Sequence, residues 1–271
     1  MYLIRAVSAP LIGAGLLIVS APAMAHSPLA GDAQERVAAW LTAALLGAFW
    51  LLFVIGSRRV PPERWRAGLF HAVAVVTALT LLGPLDDWAK TGTAPHMAQH
   101  MLLMAVIAPL WVLSRPLPQL IIAAPGLYRV LWGPLLSLVR HPLTCAWLHA
   151  AAIWFWHTPR FYVMAVEDPW WHAAQHVSFL LTAGLFWWAA LQGAARRAPW
   201  SLLALLFTLM HTGFLGAVLT FAREPLYGEA RNLADQQLAG LIMWVPGALP
   251  YLLAAAWVTY IWYRRLIRRM A

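Results

Sequence analysis

The chain has 271 residues, of which 62% are hydrophobic and only 11% charged, against about 25% charged in a soluble domain. No water-soluble fold hides that much apolar surface, so the soluble classes are excluded. The net charge of +9 sits on arginines near the ends of apolar stretches, which sets nucleic acid aside as a partner and points to membrane lipid. The lone cysteine, Cys145, excludes a disulfide framework or a CxxC site and reads as a small buried residue.

Residues 1–25 carry Arg5, an apolar run from Leu11 to Val19 and then Ala23-Met24-Ala25. This is the pattern of a secretory signal peptide cut at a small-x-small site; an uncleaved first span is the alternative. The remainder, 26–271, reads as one domain. Its spans fall at about 34–56, 66–83, 95–113, 142–157, 170–191, 199–221 and 236–263. Each supplies most of the ~20 apolar residues needed to cross a ~30 Å hydrocarbon core. Segments this long can satisfy their backbone in lipid only as helices, so the fold class is all-α, a polytopic transmembrane bundle of seven spans. The apolar connection at about 115–140 is broken by Pro116, Pro118, Pro125, Gly126 and Pro134, and reads as interfacial helical pieces.

Charge alternates between the two sets of connections. Thirteen of the 19 basic residues lie on one side, among them Arg58, Arg59, Arg140, Arg197 and the tail from Arg264 to Arg269, whereas nine of the ten acidic residues lie on the other. The positive-inside rule makes the arginine-rich face cytoplasmic, with the amino end outside and the carboxyl end inside. Of the 17 tryptophans, Trp88, Trp170, Trp171, Trp187, Trp188 and Trp262 fall near span ends, where indoles anchor at headgroups.

Ten histidines in so apolar a chain require an account, because ionisable side chains are costly in lipid and mark function. His71 and His141 lie near cytoplasmic helix ends and read as structural. His26 belongs to the exported tail. His96 and His100 open the third span as HMAQH, and His172 and His176 open the fifth as HAAQH. The i, i+4 spacing puts both rings of a pair on one helical face about 6 Å apart, and the two helices run the same way, so four imidazoles can converge at one depth.

His157 ends the fourth span on the same side, and Met104, His149, His211 and Met243 lie deeper, forming a descending ladder of imidazoles and then thioethers. Imidazole suits copper, zinc and iron, and thioether selects Cu(I). Copper, as Cu(I), is therefore the expected metal. No P-loop, serine-nucleophile motif or HExxH occurs, and no enzyme activity is expected. Two other readings fit these histidines: a haem-binding protein with bis-His ligation, and a metal or proton-coupled transporter.

HMAQHMLLMAVIAPL at 96–110, WFWHTPRFY at 154–162, the His172/His176 pair followed by Phe186-Trp187-Trp188, and DQQLAGLIMW at 235–244 together resemble the polytopic CtaG family of cytochrome c oxidase assembly factors, over about residues 35–263. The resemblance implies a multi-pass protein of the bacterial inner membrane that helps build a haem-copper oxidase, with copper delivery to the buried catalytic centre as its proposed role. Its implied partners are the oxidase catalytic subunit and a periplasmic copper donor. The matching positions are His96, Met97, His100, Met101, His157, His172, His176, Asp235, Gln236 and Met243. Asp235 also reads as an N-cap of the seventh helix or as a ligand.

Overall fold

The computed structural model describes residues 32–192, 194–228 and 232–270, with the side chains of 194–196 left aside. The expected signal peptide and His26 lie outside the described residues. Among them every regular element is helical: α1 (Ala33–Ser57), α2 (Arg64–Leu82), α3 (Pro84–Ala89), α4 (Thr93–Met101), α5 (Ala108–Ser114), α6 (Leu117–Ala123), α7 (Pro125–Leu127), α8 (Gly133–Leu138), α9 (Pro142–Trp156), α10 (Pro159–Glu167), α11 (Pro169–Gln192), α12 (Ala194–Thr220), α13 (Leu233–Trp244) and α14 (Leu249–Met270).

The elements begin and end where local chemistry dictates. Asp32 caps α1 by accepting the Glu35 amide at 2.8 Å, and Asn232 does the same for α13 through the Ala234 amide at 2.9 Å. These bonds satisfy orphan donors of the first turn. The α4–α5 rod ends at Arg115, which takes a left-handed conformation (φ 50°) just before Pro116.

Among the described residues six helices are long and apolar enough to cross a membrane, or up to seven if the bent pair Leu117–Ala123 and Pro125–Leu138 counts as one span. This makes the chain a multi-pass membrane protein. The pair turns through 111°, so the Pro-rich connection is helical in pieces, as its sequence predicts. The span expected at 142–157 is present as α9, Pro142–Trp156, though it is short. The helix α9 has only 15 residues, about 22 Å at 1.5 Å per residue, short of the hydrocarbon thickness. It packs between α11 and α12.

Burial sorts the helices. The rod Thr93–Ser114 is 67% buried over its apolar window and α1 only 11%, so the histidine-bearing α4 is central and α1 peripheral. Within that rod, Leu102–Ile107 is a π-helix, in which the i→i−4 ladder is interrupted. The indole Nε1 of Trp187 on α11 donates to the freed Met104 carbonyl at 2.8 Å. Trp187 is thus fully buried and not a headgroup anchor, whereas Trp88, Trp170 and Trp171 are exposed. On the other side of the bundle α12 and α13 cross at Gly216 and Gly240, where a Cβ on Gly216 would stand 2.9 Å from the Gly240 carbonyl oxygen. Small residues allow this backbone approach.

Candidate metal centre

The imidazoles of α4 meet those of α11, and spacing of four stacks each pair on the facing side. Ring centroids are 4.2 Å apart within His96/His100 and 4.2 Å within His172/His176. Across the helices His96 meets His172 at 5.3 Å and His100 meets His176 at 5.5 Å. The four rings therefore form one closed quadrilateral in which each pair member faces its counterpart at the same depth. His96, His100 and His176 are buried.

His157, the residue that ends α9, is a fifth imidazole, 6.5 Å from His100 by ring centroids. Its Nδ1 lies 2.7 Å from the Ile153 carbonyl. A carbonyl only accepts, so Nδ1 carries the proton and Nε2 presents its lone pair. Nε2 has no hydrogen-bond partner, and neither do Nε2 of His172 and His176 nor either nitrogen of His100. Buried polar atoms are ordinarily paired, and this concentration of unpaired nitrogens on three helices has the chemistry that a lone-pair acceptor such as a metal ion would need.

One nitrogen from each of His96, His100 and His172 lies within 4.8 Å of the other two. Two imidazole nitrogens on a single ion, each bonded at about 2.0 Å, are at most about 4 Å apart. Side-chain shifts of about an ångström would close the set. Tyr162 and Tyr227, stacked at 3.7 Å, wall one side, with Tyr162 5.6 Å from the His96 ring. The Tyr227 hydroxyl donates to the His157 carbonyl at 3.4 Å. Burial, and secondly Tyr162, raise the pKa of this phenol above its usual range, keeping it a donor.

The remaining sequence candidates fall elsewhere. His149 is fully buried on α9, with Nδ1 3.0 Å from the Thr182 hydroxyl. Because that hydroxyl spends its proton on the Ser178 carbonyl, His149 is the donor and its Nε2 is left bare. His211 on α12 packs against Phe207. Met104 and Met243 are buried in the main apolar cluster. His71 accepts the Trp50 indole at 3.1 Å and His141 is exposed.

Asp235 is a correction. It does not cap its own helix, a task taken by Asn232; its Oδ2 accepts the amides of Thr93 at 2.5 Å and Ala94 at 3.3 Å, so it caps α4 from α13. Gln236 Oε1 accepts the Leu226 amide at 2.7 Å and ties down the preceding loop.

Sequence reasoning passed over two glutamines. Gln99 and Gln175 hold the same place in HMAQH and HAAQH, and both are fully buried. Gln99 Nε2 donates to the Thr80 carbonyl at 2.8 Å and to Asp86 at 3.1 Å, while neither amide atom of Gln175 has a hydrogen-bond partner. The signal was the repeated xAQH itself.

Fold and site together define a multi-pass helical membrane protein with a buried polyhistidine centre between parallel helices. A sequence model of the cytochrome c oxidase caa3 assembly factor family (Caa3_CtaG) matches residues 47–265, and the chain belongs to this family. No curated protein and no solved structure matches it.

Proposed function

We propose that this assembly factor handles copper: it takes Cu(I) from a periplasmic donor at the exported end of the bundle, holds it on His96, His100, His172 and His176, and passes it to the oxidase catalytic subunit. The observation that carries this reading is the meeting of two i, i+4 histidine pairs ring to ring, with nitrogens of His96, His100 and His172 close enough for one ion. Imidazole suits copper, and the thioethers deeper in the bundle favour its Cu(I) state. Incomplete coordination favours transfer, since a receiving ligand can add before the last histidine leaves. His157, with its lone pair turned out, is a rung for such an exchange. The deeper His149 and His211 and the thioethers of Met104 and Met243 extend the path toward a centre buried in the bilayer. The role is non-enzymatic, for only the ligands of the metal change.

The setting we infer is the bacterial inner membrane, amino end outside, with α9 as a short seventh crossing. The charge asymmetry of the connections supports this orientation. The geometry speaks against haem: His100 and His176 are 5.5 Å apart with His96 and His172 packed on them, which leaves room for an ion and not for a macrocycle. Metal analysis and X-ray absorption of the purified chain test the proposal. Bound copper with nitrogen ligands, lowered in His100→Ala and His176→Ala but not in His71→Ala, is the expected result. Equal copper in all three variants would remove the ligand assignment.

A further inference from the structure

A cavity of about 690 Å³ opens between α1, α3 and α11 and reaches His96, His172 and His176 at its inner wall. Five carboxylates, Glu35, Asp86, Asp87, Glu167 and Asp168, line it, with one ammonium, Lys90, among the described lining residues. That ammonium stands between two of them, with Nζ 3.7 Å from Glu35 Oε1 on α1 and 3.6 Å from Asp86 Oδ2 on α3. The other Asp86 oxygen is held by Gln99, the neighbour of His100. His176, buried to 7% exposure, lines the same cavity, and its Nε2 has no hydrogen-bond partner.

We propose that Lys90 is a resident counter-cation at the mouth of the histidine centre, which an incoming metal cation displaces from Glu35 and Asp86 on its way to His172 and His176. The inference rests on the copper reading and adds an access station and the residue that guards it. Its physical basis is the looseness of the contact. Charge-assisted N–H···O bonds close to 2.7–2.9 Å, whereas both contacts here are longer. The side chains of Lys90 and Glu35 are 48% and 40% exposed, and exposed pairs of this kind hold weakly.

An excess of carboxylate at a concave mouth concentrates cations and raises their arrival rate. The tethered ammonium sets a threshold on that field, since it neutralises part of the charge until a metal ion competes for the same oxygens. Carboxylate oxygen is a poor partner for a soft ion compared with imidazole, so the metal does not remain there and moves inward. Lys90 then swings back to its carboxylates.

The test is stopped-flow transfer of Cu(I) from a coloured chelator to the full chain in nanodiscs of zwitterionic lipid, at low and high salt. Lys90→Gln should load about three- to tenfold faster than wild type at low salt, with the same final copper content. Lys90→Arg should behave as wild type, and Glu35→Gln, which breaks the tie from the α1 side, should load more slowly. High salt should compress all these differences. Wild-type loading insensitive to salt, or Lys90→Gln loading at the wild-type rate or below it, would overturn the proposal and leave a plain tie between α1 and α3. A wild-type chain that takes up no copper would overturn the copper reading as well, whereas full uptake at a rate indifferent to Lys90 overturns only the present inference.

Discussion

Asp235 Oδ2 accepts the backbone amide of Thr93 at 2.5 Å, so a carboxylate 142 residues away in sequence caps the helix that carries His96 and His100. Gly92 makes this approach possible: a Cβ there would stand 2.7 Å from the same oxygen. The cap ties α13 to the start of α4, three residues before His96.

Asp235→Ala should therefore cost about 0.5–2 kcal/mol of stability, the range for loss of a helix cap. It should also weaken copper binding without removing any ligand. Thermal melting of the purified chain and copper affinity by chelator competition measure the two effects. Asp235→Asn, which keeps an oxygen for the Thr93 amide, should recover most of both. Failure of asparagine to restore binding would mean that the carboxylate contacts the metal itself.

Much of the centre was legible because spacing of four is a local property. It places His96 with His100 and His172 with His176 whatever the tertiary fold, and the charge alternation predicts that both helices run the same way. Asp235 was not legible in the same manner, since a cap supplied across 142 residues leaves only an acidic residue near a helix start, where its own helix is the obvious customer. Trp187 misled because nearness to a span end is a linear measure, while its indole turns inward to a carbonyl that a π-helix has freed. The bounds of α9 were legible, since Pro142 opens the helix and the span expected to end at 157 stops at Trp156.

The Trp187 contact gives a prediction of its own. Trp187→Phe keeps most of the ring volume and leaves the Met104 carbonyl bare in a buried place. The expected cost is about 1–3 kcal/mol, the penalty of an unsatisfied buried acceptor, read as a lower thermal midpoint. Copper stoichiometry should hold, because no imidazole is touched. An unchanged midpoint would show that the π-segment settles back into an α-helix once the indole is gone.

The short α9 makes topology the sharpest test of the architecture. Arg140, just before α9, is held from across the bundle by Arg197, whose guanidinium donates to the carbonyls of Val139 and Arg140. If α9 crosses, a reporter active only in the periplasm should be silent when fused after Arg140 or Arg197 and active after Asp168. Silence at both Arg140 and Asp168 would make α9 a buried non-crossing helix and place the carboxyl end outside, whereas activity at both would give the crossing to the bent pair Leu117–Ala123 and Pro125–Leu138 and keep that end inside.

The last prediction concerns the oxidase. Membership in a cytochrome c oxidase assembly family predicts that a strain lacking this chain has reduced oxidase activity. The copper reading adds that the oxidase polypeptide and its haem remain while copper is missing from the buried centre, and that extra copper in the medium restores part of the activity. Alanine at His96, His100, His172 or His176 should reproduce the deletion, since each removes an imidazole from the quadrilateral and leaves its helix in place. Met243→Leu should be milder, because leucine keeps the apolar volume of a buried position and loses only the thioether. Oxidase turnover, haem spectra and metal content of membranes from these strains separate the possibilities. Haem loss with copper retained would move the centre's role from metal to macrocycle supply, and normal turnover in the deletion strain, with no second copy of the gene, would remove the assembly role from this chain.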